Sequence, residues 1–193
     1  MKILLALLIN LFITTAYAEE PQDLATFAGG CFWCMEAPFD KLDGVISTTS
    51  GYTAGQKMNP TYKEVSSGST GHTEAVQIVF DPKKISYAEL LEVFWKNIDP
   101  VAIDRQFCDS GTQYRSGIYY HNASQENEAK QSLQQLEKTK PFKESIATEI
   151  ASASTFYPAE DYHQDYYQKN PVRYKFYRYR CGRDQRLQEL WAE

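Results

Sequence analysis

A short apolar run that ends at two glycines and is followed by a cysteine constrains the fold more than any other stretch. Residues 24–28 alternate apolar side chains and are bounded by Gly29 and Gly30, which predicts a strand that ends in a tight turn. The next residues are compatible with a helix, so Cys31 would lie in its first turn. Free backbone N–H groups and the positive end of the helix dipole favour a thiolate there. The stretch therefore predicts a reactive thiol at a strand-to-helix junction.

Free cysteine is among the most buried residue types, so Cys31 could instead be an inert core residue. We favour the reactive thiol because two glycines before a buried helix start have no obvious packing purpose. As a functional feature, the glycines would let a substrate backbone approach the sulfur. Phe32 and Trp33 would then wall an apolar pocket beside it.

The first eighteen residues differ from the rest of the chain. Lys2 precedes an apolar run that ends near Phe12, and Ala16-Tyr17-Ala18 has the pattern of a cleavage site. This predicts a signal peptide over residues 1–18, followed by one domain over residues 19–193. The apolar run is too short for a comfortable transmembrane helix, and an uncleaved anchoring segment is the alternative. We expect an exported protein, periplasmic or secreted, that is not bound to the membrane after cleavage.

The composition is that of an ordinary globular protein, with 42% hydrophobic and 23% charged residues among 193. A net charge of −5 at pH 7 argues against a nucleic-acid partner. Four cysteines are too few for a disulfide scaffold in a chain of this length, and in an oxidising compartment they suit a redox enzyme. A single domain and a monomer are expected.

Periodicity and turn residues predict the order of the elements. Strands are predicted over 24–28, 45–52, 72–80, 118–121 and 146–153, and helices over 31–42, 86–98 and 124–138. The long segment 53–71 is typical of a binding loop with one helical turn. The order predicts an α+β two-layer sandwich of ferredoxin-like type, with antiparallel strands, helices on one face and an irregular aromatic C-terminal tail.

The pair Cys31-x-x-Cys34 is ambiguous by itself. It could be the redox dithiol of a thioredoxin-like domain or half of a zinc site. Zinc is disfavoured because the other cysteines stand alone and no histidine lies at ligand spacing, so no metal is predicted. Cys34 is slightly better explained as a small buried residue one turn after Cys31.

Five motifs together resemble the peptide methionine sulfoxide reductase A family, and they span residues 24–171 in the family's order. The motifs are Gly30-Cys-Phe-Trp-Cys34, Asn59-Pro-Thr-Tyr62, Gly71-His-Thr-Glu74-Ala-Val, Asp109-Ser-Gly-Thr-Gln-Tyr114-Arg-Ser and Phe156-Tyr-Pro-Ala-Glu-Asp161-Tyr-His-Gln. The resemblance implies reduction of methionine S-sulfoxide, free and in proteins, as repair of oxidative damage. It also implies a thioredoxin-type protein as electron donor and no other cofactor.

Sulfoxide chemistry explains the motif residues. The sulfur is attacked only when its oxygen is protonated or hydrogen-bonded, so a proton donor must lie opposite the thiolate. Glu74 is the candidate, because burial among aromatic rings would keep a carboxyl protonated; on strand alternation alone it would face solvent. The resemblance also implies roles for the remaining motif residues. Tyr62, Tyr114 and Asp109 are catalytic: the two tyrosines hold the sulfoxide oxygen, and Asp109 fixes nearby polar groups. Phe32 and Trp33 bind the substrate by receiving its methyl group.

The resemblance also implies a cycle of thiol chemistry. Cys31 attacks the sulfur, methionine leaves, and the sulfenic acid on Cys31 condenses with a second thiol. Cys181 resembles the family's C-terminal resolving cysteine, and Cys34 and Cys108 are its rivals. An exported thiol-disulfide oxidoreductase that uses Cys31 and Cys34 directly is the alternative function, and a purely structural exported domain is a third. His72 and His163 are predicted to be structural.

Overall fold

The computed structural model describes residues 22–191, so the predicted signal peptide lies outside the described residues. The strands are β1 (Asp23–Gly29), β2 (Val45–Thr53), β3 (Thr73–Phe80), β4 (Arg105–Gln106), β5 (Asp109–Ser110), β6 (Ser116–Tyr120), β7 (Glu149–Ser152) and β8 (Tyr157–Pro158). The helices are α1 (Phe32–Asp40), α2 (Tyr62–Ser66), α3 (Tyr87–Lys96), α4 (Ala123–Thr139), α5 (Tyr166–Lys169), α6 (Pro171–Arg180) and α7 (Arg183–Trp191). Two 3-10 turns cover Thr112–Tyr114 and Asp161–His163. Within residues 22–191, no helix has the length and apolar character needed to cross a membrane.

Six strands form one mixed sheet in the order β7-β6-β1-β3-β2-β8. The predicted α+β class is confirmed, as are the strands over 24–28, 45–52 and 72–80. The expectation of an entirely antiparallel sheet is wrong, because β7 pairs parallel with β6. Helix α4 makes the long crossover that a parallel pair requires. Strands β4 and β5 form a separate hairpin, here called the cysteine hairpin because Cys108 lies in its turn.

The core is built on one face of the sheet around Phe27 of β1. Its ring stacks on Phe39 of α1 and on Tyr87 and Phe94 of α3, with ring centroids 5.4, 5.9 and 5.0 Å away. All four rings are buried. Fully burying an aromatic side chain stabilises a fold by about 1.5–3 kcal/mol, so this cluster fixes α1 and α3 against β1.

Helix α1 contains Pro38 and continues for two residues beyond it. A proline there cannot bond to the carbonyl of Cys34 and favours a kink. The buried Phe39 that follows it packs on Phe27, and this contact supports the last turn. Helix α3 begins with a capping box: the Ser86 hydroxyl accepts from the Glu89 backbone at 3.2 Å, and the Glu89 carboxylate accepts from the Ser86 backbone at 2.8 Å.

The predicted irregular C-terminal tail is wrong, because this part of the chain forms α6 and α7. Pro171 is the first residue of α6, where a proline costs no hydrogen bond. The short α5 precedes α6, and Asn170 alone separates the two helices. The pattern was difficult to recognise because the covered face of α6 consists of polar and aromatic residues rather than aliphatic ones: Tyr174, Tyr177, Arg178 and Cys181.

Candidate active site

Cys31 lies at the predicted junction between a strand and a helix. It is the N-cap residue of α1, one residue after the turn that leaves β1, and only 7% of its surface is exposed. Its carbonyl accepts from the Cys34 backbone at 3.0 Å, which begins the first turn. The predicted placement of the thiol at a helix N-terminus is confirmed.

The two preceding glycines pack against protein atoms, so the interpretation that they admit a substrate backbone is wrong. A Cβ on Gly30 would lie 2.5 Å from Cβ of Gln106, and one on Gly29 would lie 2.6 Å from side-chain atoms of Met35 and Ile98. Gly30 also has a φ of +81°, which favours glycine. The glycines therefore allow the turn between β1 and α1 to lie close to Ile98 and to Gln106 of the cysteine hairpin.

One small cavity joins most of the residues that the motifs identified. Its volume is about 70 Å³. Its lining comprises Cys31, Phe32, Trp33, Tyr62, Glu74, Asp109, Tyr114 and Tyr177. Seven of these were predicted from the sequence, whereas Tyr177 was not. Cys181, the remaining predicted residue, does not line the cavity.

Glu74 is a buried acid on β3. Both faces of this strand are covered at that point, so the carboxyl is only 2% exposed, in contrast to the solvent-facing position that strand alternation alone favoured. Its Oε2 accepts a hydrogen bond from the Phe32 backbone at 3.0 Å. Burial, aided by the negative charge of Asp109, raises the pKa of Glu74 to about 8. Glu74 can therefore hold a proton at neutral pH.

The thiols of Cys31 and Cys34 are hydrogen-bonded to each other, and both are buried. Burial raises the pKa of Cys31, and the neighbouring acids Glu74 and Asp109 act in the same direction. The hydrogen bond from Cys31 lowers the pKa of Cys34 to about 7, and the buried Arg183 guanidinium also lowers it. The predicted preference of Cys31 for the thiolate is thus wrong for this state, in which Cys34 is the more acidic partner.

Two tyrosines face the thiol and remain protonated donors. Burial raises the pKa of Tyr62 to about 12 and also raises the pKa of Tyr114. The Tyr62 backbone N–H donates to Glu160 Oε1 at 2.9 Å, and the Tyr52 hydroxyl donates to the other oxygen of Glu160 at 2.8 Å. Glu160 therefore fixes the start of α2 against the sheet.

Phe32 and Trp33 form an aromatic wall of the cavity, and His163 and Tyr166 hold it in place. The Trp33 indole stacks on Tyr166 with centroids 3.7 Å apart and 6° between the planes, and its Nε1 donates to His163 Nδ1 at 3.0 Å. The His163 ring also packs against Phe32 at 4.9 Å. Burial lowers the pKa of His163, so it is a neutral acceptor. Its predicted structural role is thus specific, because it orients the wall of the pocket.

Asp109 connects the cavity to the C-terminal region. Its Oδ2 accepts a hydrogen bond from the Tyr177 hydroxyl of α6, and the Tyr177 ring lies edge-on to Trp33 with centroids 5.7 Å apart. The sequence offered little sign of this contact, because the chain contains 14 tyrosines and Tyr177 lies outside the motifs. Its spacing of four residues before Cys181 was the one usable signal.

Cys181 forms a disulfide with Cys108, with the two Cα atoms 4.9 Å apart. Cys108 is exposed and Cys181 is half-buried. In this state, the predicted resolving cysteine is therefore bonded to one of its rivals and not to Cys31.

These two sulfurs and an Asp109 oxygen form a group of potential metal ligands within 4.8 Å of one another. A metal ion would require both sulfurs as thiolates, whereas here they are bonded to each other. This part of the site therefore fits disulfide chemistry better than metal binding.

A larger cavity of about 640 Å³ lies between α3 and α4, lined in part by Trp95, Leu136 and Trp191. It contains no cysteine, histidine or tyrosine. The chemistry of the molecule is therefore assigned to the smaller cavity beside Cys31.

The chain was compared with known proteins. The sequence profile of the family described as "Peptide methionine sulfoxide reductase" matches residues 23–193. The peptide methionine sulfoxide reductase MsrA of Bacillus licheniformis is 52% identical over 173 residues, which cover 90% of this chain and 96% of that protein.

Solved structures agree with this match. Reduced Mxr1 from Saccharomyces cerevisiae superposes with a TM-score of 0.75 at 33% identity, over 81% of this chain and 90% of that one. Mxr1 in complex with Trx2 superposes with a TM-score of 0.54 at 25% identity, over 80% of this chain and 91% of that one. The cysteine, acid and tyrosines that the motifs predicted line one cavity, and the profile covers nearly all of the described residues. The chain belongs to the peptide methionine sulfoxide reductase family and is an enzyme of the MsrA type.

Proposed function

We propose that the cavity beside Cys31 binds the methyl sulfoxide group of methionine S-sulfoxide, free and in proteins, and that the enzyme reduces the sulfoxide to methionine there. The observation that carries this proposal is the convergence of a thiol, a buried protonated acid and two tyrosine hydroxyls on one aromatic-walled cavity. Phe32 and Trp33 receive the methyl group, Tyr62 and Tyr114 donate to the sulfoxide oxygen, and Asp109 fixes the polar groups beside them.

The first step reduces the sulfoxide and oxidises Cys31. The sulfur of Cys31 attacks the sulfoxide sulfur while Glu74 protonates the oxygen, so that the S–O bond breaks and the oxygen leaves as water. A water molecule then attacks the Cys31 sulfur, the new S–S bond breaks, methionine leaves, and Cys31 is left as a sulfenic acid. Burial of Glu74 supports its role as acid, because a proton on this carboxyl is retained at neutral pH.

A second thiol then condenses with the sulfenic acid and releases water, which leaves an intramolecular disulfide. We propose Cys181 as this resolving thiol, after reduction of its bond to Cys108. Cys34 is the competing candidate, because its thiol already contacts Cys31 and it is the more acidic of the two. Cys108 is the exposed member of the pair with Cys181 and is the sulfur that a reductant could reach first.

We propose a thioredoxin-type protein as the electron donor. The superposition on Mxr1, which has been solved in complex with Trx2, supports this class of partner. An exposed disulfide is also the substrate that a dithiol protein can attack by thiol-disulfide exchange.

The single-turnover experiment tests the proposed reaction. Fully reduced protein is mixed with excess methionine S-sulfoxide in the absence of reductant, and methionine is counted per chain. About one methionine is expected, because the chain stops once its resolving disulfide has formed and no reductant is present to open it. Peptide mass spectrometry of the product identifies the resolving cysteine. The R epimer is the matched control. If neither epimer yields methionine, the proposal is contradicted.

The same experiment separates the reductase from a thiol-disulfide oxidoreductase. The hydrogen bond between Cys31 and Cys34 is the observation that favours the second function. An oxidoreductase would exchange disulfides readily and would form no methionine.

The remaining sequence predictions stay proposals. We propose export, to the periplasm or outside the cell, as a monomer formed by one domain over residues 19–193. We also propose that α1, α3 and the central strands form a ferredoxin-like two-layer sandwich. The antiparallel order β6-β1-β3-β2 supports this assignment.

A further inference from the structure

Helix α6 has one face against the molecule and one face exposed to solvent. The covered residues recur at intervals of three and four, which places Tyr177 and Cys181 one turn apart on the same side. The opposite side carries Val172, Phe176 and Tyr179, which are 80%, 66% and 81% exposed. Movement of α6 would therefore shift Tyr177 and Cys181 together.

The side chain of Tyr177 lies in the space that a substrate would need. Its hydroxyl donates a hydrogen bond to Asp109. It lines the same cavity as the Cys31 thiol, and its ring lies against Trp33. The space left beside these groups is about 70 Å³, whereas ligand pockets commonly measure about 300–1,000 Å³. The catalytic thiol is thus closed off from solvent by a residue of the C-terminal region.

Two links connect α6 to the cysteine hairpin side by side. Cys181 is bonded to Cys108, and Tyr177 donates to the next hairpin residue, Asp109. The Cys181 sulfur lies 3.9 Å from Asp109 Oδ2, the same oxygen that accepts from Tyr177. Because one link is covalent, the hydrogen bond beside it is held at high effective concentration.

We propose that Tyr177 closes the sulfoxide pocket while Cys108 and Cys181 are bonded, and that reduction of this disulfide releases it from Cys31. This proposal rests on the proposed function and makes Tyr177 a positioning residue in it. The enzyme then accepts a new sulfoxide only after its reductant has acted, even though Cys31 and Cys34 are free thiols in the closed state.

The electrons balance within the reductase reaction. Cys181 first condenses with the Cys31 sulfenic acid, and water leaves. The Cys108 thiol then attacks Cys181, the bond from Cys181 to Cys31 breaks, and Cys31 takes up the proton and is again a free thiol. The oxidant is therefore the sulfoxide substrate itself. Opening consumes one dithiol of the thioredoxin type, which becomes a disulfide while Cys108 and Cys181 return to thiols.

Alkylation of Cys31 tests the closure without depending on sulfoxide chemistry. In a Cys34→Ser background, Cys31 is the single free thiol once Cys108 and Cys181 are bonded, which peptide mapping verifies. We expect iodoacetamide to modify Cys31 about tenfold more slowly in this form than in the reduced form. That ratio corresponds to about 1.4 kcal/mol in favour of the closed state.

Variants of Tyr177 identify the residue that closes the pocket. Tyr177→Ala with the disulfide intact should bring the alkylation rate of Cys31 to that of the reduced form. Tyr177→Phe, which keeps the ring, should preserve most of the protection. Tyr179→Ala on the exposed side of α6 is the matched control and should preserve all of it. Rates are compared over a range of pH, so that a changed thiol pKa is separated from changed access.

Three outcomes would overturn the proposal: equal alkylation rates in the two redox forms, protection that survives Tyr177→Ala, or failure of the disulfide to form on mild oxidation. None of them depends on whether the reduced chain converts methionine S-sulfoxide, which the single-turnover experiment measures separately.

Discussion

At the scale of single residues, the acid of the site owes its chemistry to burial. Glu74 is surrounded by rings and a second acid, and both effects oppose its ionisation. Glu74 can therefore offer a proton beside the hydroxyl donors Tyr62 and Tyr114, which suits an oxygen that gains negative charge as its bond to sulfur weakens.

We predict that kcat/KM falls as pH rises through about 8. Glu74 acts in its protonated form, and its pKa lies at about 8, so the active fraction declines above that value. Glu74→Gln should lower kcat/KM by about 10²–10⁴-fold and remove the alkaline limb, because the amide donates a hydrogen bond but no proton. Steady-state rates of the two proteins over this pH range provide the measurement.

Exposed Glu92→Gln serves as the control and should keep the wild-type profile. An unchanged alkaline limb in Glu74→Gln would assign that limb to another group.

The sequence predicted seven residues of the cavity, because each lies in a motif and the motifs converge in space. It did not predict Tyr177, whose place depends on how α6 packs. It also could not predict the bond between Cys108 and Cys181, which joins positions 73 residues apart. Local sequence patterns carry no information about which of four cysteines meet.

At the scale of elements, the turn between β1 and α1 sets the position of the nucleophile. Cβ and Cγ of Gln106 fill the space beside Gly30, and the amide at the end of this side chain is held by Asp99. Gln106 Oε1 accepts from the Asp99 backbone at 2.8 Å, and its Nε2 donates to the Asp99 carbonyl at 2.6 Å. This amide cannot move aside without losing both bonds.

Gly30→Ala should therefore lower both stability and activity. The substitution places a Cβ 2.5 Å from Gln106 and imposes a positive φ on alanine. We expect a loss of about 2–4 kcal/mol in the free energy of unfolding and a lower kcat, because Cys31 follows directly. Urea denaturation and steady-state rates measure these effects.

Gly182→Ala separates backbone strain from the clash, since Gly182 has a φ of +67° and no atom within 4 Å of the added Cβ. The free energy of unfolding of this variant should fall by only about 1 kcal/mol. If both variants lost the same free energy of unfolding, close packing at Gly30 would contribute nothing to stability.

The elements themselves were predictable where one physical signal dominated. The first three long strands have β-branched and apolar residues bounded by glycine or proline, and α3 has a complete capping box. Helices α6 and α7 were missed because aromatic and basic residues on a half-covered helix do not give an apolar stripe.

At the scale of the whole molecule, the C-terminal region is anchored by a buried cation. Arg183 is 2% exposed, and its Nη2 donates to the carbonyls of Gly29 at 3.2 Å and Asn97 at 2.6 Å. Its guanidinium lies 4.4 Å from the centre of the Phe107 ring. One side chain thus joins α7 to the end of β1, the end of α3 and the cysteine hairpin.

Arg183→Leu should destabilise the protein by about 2–4 kcal/mol, because it leaves two carbonyls without their donor. Arg180→Leu, at an exposed position of the neighbouring helix, should change the free energy of unfolding by no more than about 0.5 kcal/mol. Urea unfolding of both variants gives the comparison. If the Arg183→Leu variant proved as stable as its control, α7 would be held by other contacts.

The short strand β8 also protects the molecule from association with other chains. β2 is nine residues long, and β8 pairs with it at Gly51 and Tyr52. An uncovered strand of that length would present a row of free backbone groups, which is a template for aggregation. The second residue of β8 is Pro158, which has no N–H to offer a further strand. Over Gly51 and Tyr52, the sheet therefore ends in a strand too short to recruit an unfolded neighbour.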